Sequence, residues 1–208
     1  MSWHRHCFIL ILAFVAGALI CRQAVHAVAK QKEEQHSTGT ATREQAASAA
    51  AFEAIVPVLR HRRCMNCHSS GDFPRQGDDG HRHMMNVRRG LYGEGVAGLK
   101  CSICHQDHNL QGEHMPPGAP GWRLPTAREP MTWEGLNDRQ LCELFKNPSA
   151  NGHRSVDEIV QHMNTPLVLW AWNAGEGRTP VPMPQNEFLA KAREWASSGA
   201  ACPSGAPR

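Results

Sequence analysis

The chain has 208 residues and a formal net charge of +3, and it is 41% hydrophobic and 20% charged. These values lie in the globular range, exclude collagen-like, acidic disordered and polytopic membrane proteins, and give no reason to expect nucleic acid as a partner. Potential metal ligands are frequent, with eight Cys, thirteen His and eight Met, whereas Tyr occurs only once.

The first 27 residues have the three parts of a secretory signal peptide. A basic start precedes an apolar run over residues 8–20 and a small-residue site that ends at Ala27. The run of about 13 residues suits the apolar region of a signal peptide and is short for a membrane span, which needs about 20 residues. We predict a signal peptide over 1–27, export to the periplasm, and peripheral or no membrane contact; an uncleaved anchor is the alternative.

Polar and small residues dominate residues 28–43, which predicts a flexible, solvated tether. A helix is predicted over 44–61, because its apolar residues recur at i, i+3, i+4 and i+7 and therefore share one face. These residues are Phe52, Ile55, Val56 and Leu59. Pro57 interrupts this helix, which predicts a kink or a late start.

Residues 64–130 are rich in Gly, Pro, Asp, His and Arg, and show neither the helical nor the strand period. A loop region of this length inside a compact domain is uncommon. We therefore expect that something other than side-chain packing organises it. No strand is predicted anywhere in the chain.

Helical patterns return near the C-terminus. One helix is predicted from Asn137 to Lys146, and a second begins at the capping box that Ser155 opens. Asn186 is predicted to cap a last helix that ends near Gly199. The expected fold is mainly α, with one domain over 44–203 and a disordered tail over 204–208.

Two copies of the pattern C-x-x-C-H carry the chemistry. The first is formed by Cys64, Cys67 and His68, and the second by Cys101, Cys104 and His105. This spacing puts both thiols on one helical turn, where they can add to the vinyl groups of a haem, and the His becomes the proximal iron ligand. We predict two covalently attached c-type haems, with short helices and Gly/Pro-rich loops wrapped around them.

A Cys₄ zinc site is the competing interpretation of the same four thiols. However, 33 residues separate Cys67 from Cys101, whereas paired C-x-x-C motifs that bind zinc are usually about 15 to 20 residues apart. A His also follows both pairs, which a Cys₄ site does not require.

The sequence does not decide the distal iron ligands, because many His and Met residues follow the motifs. Low-spin electron carriers take Met or His as the sixth ligand. The first choices are His83, 15 residues beyond His68, and His114, 9 residues beyond His105. The alternatives are His81, Met85, Met115 and Met183. Each of them can equally be a surface histidine or a gap-filling methionine.

Two further cysteines, Cys142 and Cys202, remain after the motifs and the predicted leader are set aside. In an exported protein two leftover thiols are expected to form a disulfide. Two unpaired buried cysteines are the alternative.

Together with the haem motifs, several segments resemble a group of small exported bacterial proteins, often labelled as isoquinoline 1-oxidoreductase subunits or cytochrome c-like proteins. These segments are 77–81, 104–107, 114–120 and 172–178. A molybdenum hydroxylase needs pterin-binding and iron–sulfur domains, for which this sequence has neither the length nor the cysteine pattern. The resemblance therefore implies a dihaem electron carrier that serves such an enzyme.

The function expected from the sequence is the transfer of single electrons by a periplasmic dihaem cytochrome, without catalysis of its own. Its redox partner is expected to be a molybdenum hydroxylase or a respiratory cytochrome. The alternatives are a peroxidase-like enzyme with one five-coordinate haem, a haem-based sensor and an exported structural zinc protein.

Overall fold

The structure, a computed structural model, describes the backbone of residues 3–205 and the side chains of residues 26, 30–32 and 34–205. It is 44% helical and 5% strand, which agrees with a mainly α class. Of the predicted tail, residues 206–208 lie outside the described residues. Within the part of the chain that the structure describes, no helix has the length and apolar character to cross a membrane.

The N-terminal helix, α1, runs from Trp3 to Leu59. Its first part forms a compact unit of its own, Met1–Glu44. The predicted signal peptide falls on residues whose side chains, apart from His26, lie outside the described part, so it stays a prediction. The expected tether, 28–43, is helical instead, with nearly all of its described side chains exposed. Because Lys, Gln, Glu and Ala are strong helix formers, this segment can be helical without a packed face.

The second compact unit, Gln45–Arg208, begins with the end of α1. The predicted apolar stripe is buried there, with Phe52 and Ile55 at 0% exposure. The helix continues past Pro57 for two residues and ends at Leu59. A short helix, α2, follows at Arg62–Met65.

Two small hairpins lie in the loop region. β1 (Arg75–Gln76) pairs antiparallel with β2 (His81–Arg82), and β3 (Gly95–Val96) pairs antiparallel with β4 (Leu99–Lys100). The expectation of no strand is therefore wrong for these pairs. Strands of two residues are too short to show the alternation by which a sequence reveals a strand.

A buried arginine between the two hairpins connects loops that precede and follow them. The side chain of Arg89 is almost completely buried. Its guanidinium donates hydrogen bonds to the carbonyls of Pro125 (2.8 Å), Ser69 (3.4 Å) and Gly71 (3.4 Å). Each of these carbonyls belongs to a loop, so hydrogen bonds from one arginine connect loops that have no regular secondary structure.

The C-terminal part contains four helices and one 3₁₀ turn. They are α3 (Asp138–Lys146), α4 (Val156–Met163), α5 (Pro166–Leu169), the 3₁₀ turn Trp170–Trp172 and α6 (Gln185–Ser197). These bounds agree with the sequence pattern for α3 and α4.

Most of the predicted helix caps are observed. Ser155 forms the predicted capping box: its Oγ accepts from the Glu158 N–H, and the Glu158 carboxylate accepts from the Ser155 N–H. Gly199 lies beyond α6 with φ of 91°, as a C-terminal cap requires. The predicted cap of α6 is wrong by two residues, because Pro184 precedes the helix and Asn186 lies within it. The fixed φ of proline lets the helix begin directly after it.

Aromatic side chains join α1, α3 and α6 in the core. The ring of Phe52 lies 5.2 Å from that of Trp195 and 5.9 Å from that of Phe145, between ring centres. Buried Ser48 donates a hydrogen bond to the Trp195 carbonyl and accepts one from the Ala201 N–H. The C-terminal end of α6 is therefore fixed to α1 by both packing and hydrogen bonds.

A disulfide joins Cys142 of α3 to Cys202, with their Cα atoms 5.6 Å apart. This is the pairing that the cysteine count predicts. It encloses α4, α5 and α6 between residues that are 60 positions apart in the sequence.

Candidate functional site

The two C-x-x-C-H motifs form the same backbone turn. In the first, the N–H groups of Cys67 and His68 both donate to the Cys64 carbonyl, each at 3.1 Å. In the second, the N–H groups of Cys104 and His105 donate to the Cys101 carbonyl, at 3.2 and 2.9 Å. Each turn brings its two cysteines to one short helical segment, which is the arrangement that the spacing predicts.

The imidazole of His68 is oriented by a backbone carbonyl and by an indole ring. Its Nδ1 lies 2.9 Å from the Met131 carbonyl. Because a carbonyl can only accept, Nδ1 carries the proton and the lone pair is on Nε2. The ring stacks on Trp133 with 3.7 Å between ring centres. Burial lowers the pKa of His68 to about 3, which keeps the imidazole neutral.

The second motif repeats this arrangement with different residues. The Nδ1 of His105 lies 2.7 Å from the Pro117 carbonyl. Its ring stacks on Trp122, with 4.5 Å between ring centres and 8° between ring planes. Burial lowers the pKa of His105, so this imidazole also presents an unprotonated Nε2.

The two motifs therefore share one local architecture: a turn with two thiols, an imidazole held by a carbonyl, and an indole against its face. The carbonyls and indoles come from unrelated stretches of the sequence, so the second copy is not a repeat of the first.

The chain matches no family model, no curated protein and no solved structure.

An internal cavity of about 240 Å³ opens at the first motif. Cys64, Cys67 and His68 are all among the residues that line it. Burial raises the pKa of Cys64 to about 12 and that of Cys67 to about 11, so both sulfurs are protonated thiols in an apolar environment. The other lining residues are mainly aliphatic and aromatic and include Leu59, Leu124, Phe145, Ile159, Trp170 and Phe188.

Three arginines also line this cavity, namely Arg63, Arg123 and Arg154. The Arg63 side chain is only 1% exposed, and it forms an ion pair with Asp78. Its Nε is buried and has no hydrogen-bond partner among the described residues. A buried donor without a partner indicates that an acceptor is missing at this point.

The two motifs adjoin each other. Trp122, which stacks on His105, is also part of the wall of the first cavity. Its ring meets Trp170, another residue of that wall, edge to face at 5.0 Å. Burial is the main cause of the raised pKa of Cys67, and repulsion from Cys101 of the second motif adds to it. The two candidate centres are therefore neighbours in one compact unit.

The distal candidate His83 lies beside the second motif, although it follows the first in sequence. Its ring centre is 6.1 Å from that of His105. The Nδ1 of His83 is 2.8 Å from the Met84 carbonyl, so its Nε2 also carries the lone pair. The structure thus brings His83 together with His105, and not with the preceding His68.

The other distal candidates lie away from the first cavity. His81 is exposed and its Nδ1 pairs with Asp79 at 2.7 Å. His114 is exposed, and its Nε2 is 3.5 Å from the carboxylate of Glu113. The methionine candidates Met85 and Met115 are 72% and 42% exposed. Met183 packs against the core, and its carbonyl accepts a hydrogen bond from the Trp172 indole.

The zinc interpretation finds no support in the arrangement of the ligands. Within the part of the chain that the structure describes, no three His, Cys, Asp or Glu side chains lie together as a metal site requires. The four motif thiols are free rather than paired. A haem iron has a weaker requirement, because the porphyrin supplies four ligands and the protein at most two.

Sequence reasoning missed His162, which lines the first cavity from α4. It also missed both indoles that stack on the motif histidines, Trp122 and Trp133. No pattern in the sequence links these residues to the motifs.

Proposed function

We propose that this protein is a dihaem c-type cytochrome that carries single electrons between redox partners. The observation that carries the proposal is the repeated motif geometry: two thiols on a turn, with the adjacent imidazole held through Nδ1 so that Nε2 is free. This is the orientation that a proximal haem ligand needs, because the hydrogen bond at Nδ1 fixes the tautomer and raises the basicity of Nε2.

The residues at the first motif fit a haem. Cys64, Cys67 and His68 line one cavity; the two thiols would form the thioether bonds, and Nε2 of His68 would bind the iron. The apolar lining would exclude water from the macrocycle. The unpartnered Nε of Arg63, with Arg123 and Arg154 nearby on the wall, would meet the two propionate groups. When bound, haem supplies a reversible one-electron iron couple.

The second motif would hold its haem between His105 and His83. Two imidazoles that bind one metal through Nε2, with metal–nitrogen bonds of about 2.0 Å, have ring centres about 6 Å apart. The observed separation is 6.1 Å. His114, the first choice from sequence for this iron, has no comparable contact with His105 among the described residues.

The position of the second motif suits exchange of electrons with a partner. Cys104 is exposed, and the neighbouring Ile103 is 59% exposed. A haem attached there would have an edge near the surface, whereas the first haem would be enclosed. Trp122 stacks on His105 and also lines the first cavity, so its ring would lie near both of the groups that the two motifs would hold. The partner that this arrangement serves is proposed to be a molybdenum hydroxylase or a respiratory cytochrome in the periplasm.

The proposal is tested by expression of the chain in bacteria together with the machinery that attaches haem in the periplasm. We expect a pyridine haemochrome spectrum of c-type haem and a mass gain of two haems. The variant C64A/C67A should retain one haem, and C101A/C104A should retain the other. The matched control C142A/C202A removes two cysteines outside the motifs and should retain both.

Failure of the wild-type protein to gain haem under these conditions would overturn the proposal. Zinc bound with the four motif thiols would instead favour the structural zinc protein. A ferric high-spin signal in the wild-type protein, together with turnover of peroxide, would favour the peroxidase-like enzyme.

A further inference from the structure

One histidine of the first cavity has no role in the function proposed above. His162 lies one residue before the end of α4 and lines the same cavity as Cys64, Cys67 and His68. Neither ring nitrogen of His162 has a hydrogen-bond partner among the described residues. A half-buried imidazole without a partner, in the wall of an apolar cavity, has a lone pair available for a ligand.

The backbone holds His162 firmly in this position. The capping box of Ser155 and Glu158 fixes the start of α4. At the other end, the Thr165 hydroxyl donates to the His162 carbonyl at 2.8 Å. Ile159, three residues earlier, lies on the same face of the helix and lines the same cavity. A ligand on a short, doubly capped helix is better fixed than one on a loop.

Few other residues of this cavity could be the sixth ligand of the first iron. None of the distal candidates from the sequence lines this cavity. Apart from the motif itself and His162, the side chains in its wall that offer nitrogen or sulfur ligands of the usual kind are Met131 and Met163. The carbonyl of Met131 holds His68, which places this residue on the proximal side. Met163 is 5% exposed and belongs to the hydrophobic core cluster.

We infer that His162 is the distal ligand of the first haem iron, opposite His68. The inference rests on the proposed function, since it needs a haem at the first motif. With His83 opposite His105, it makes both haems bis-histidine and low-spin. It also makes both potentials lower than those of His/Met haems, because a Met ligand raises the potential.

The experiment uses the dihaem protein, with haem number from mass and spin state from EPR and near-infrared magnetic circular dichroism. In the wild-type protein we expect two low-spin ferric haems, neither with the methionine–iron charge-transfer band. The variant H162A should keep two haems by mass but convert half of the iron to high spin, and added imidazole should restore low spin. H153A, which removes an exposed histidine that does not line this cavity, should leave both spectra unchanged.

A second variant keeps the test decisive if H162A folds poorly. H162M retains an iron ligand and should introduce the methionine–iron band for one of the two haems, with a raised potential for that haem. Two unchanged low-spin signals in H162A would overturn the inference. A methionine–iron band in the wild-type protein that M163L removes would assign the iron to Met163. These outcomes differ from failure of the proposed function, in which the wild-type protein carries no haem.

Discussion

The disulfide between Cys142 and Cys202 allows a prediction whose size follows from the fold. It joins positions 60 residues apart, and the chain between them contains α4, α5 and α6. In the chain-entropy model, a closed loop of this length removes about 14 cal/mol/K from the unfolded state, or about 4 kcal/mol at 25 °C. The variant C142A/C202A should therefore lose about 4 kcal/mol of unfolding free energy, which corresponds to about 8–16 °C in Tm.

The assay is urea unfolding followed by circular dichroism, with haem content matched between samples. Treatment of the wild-type protein with a thiol reductant should reproduce the loss, because such reagents cleave disulfides and would leave the proposed thioether bonds intact. The reductant also separates the effect of loop closure from the loss of the two sulfur atoms in the variant. A loss below about 1 kcal/mol in both arms would refute the entropic argument.

Three further changes test the core, the electrostatics and the helix caps. F52A should destabilise the protein by about 3–5 kcal/mol in urea unfolding, because the Phe52 ring is completely buried. Burial raises the pKa of Asp78, but hydrogen bonds from Thr179 and the charge of Arg63 outweigh this and lower it below its ordinary value. The carboxylate therefore contributes stability above the unfolded-state pKa, and this contribution is lost as the pH falls through the lower folded-state pKa. D78N should abolish that part of the acid dependence in unfolding measured from pH 7 downward, and an unchanged profile would contradict it. S155A should cost about 1 kcal/mol of unfolding free energy through loss of the cap, and a change near zero would show that the capping box does not stabilise α4.

Local sequence signals determined much of the fold. The spacing of Phe52 and Ile55 set the buried face of α1, and Ser155 with Glu158 set the start of α4, because these effects act within one or two helical turns. The turn of each C-x-x-C-H motif is likewise local, with hydrogen bonds over three or four residues. Two predictions from the sequence were wrong. The cap of α6 is Pro184 and not Asn186, and the strands of the hairpins are too short to show an alternating pattern.

The tertiary structure alone decided which groups surround each motif. The carbonyl that holds His68 lies 63 residues away, whereas the one that holds His105 lies 12 residues away. Sequence distance assigned His83 to the first motif, but the fold places it 6.1 Å from His105. His162 reaches the first cavity from 94 positions beyond His68. Each C-x-x-C-H motif lies within five consecutive residues, so the sequence shows it directly. The groups that surround its histidine come from distant parts of the sequence, and only the packed chain brings a carbonyl, an indole or a second imidazole to the same point.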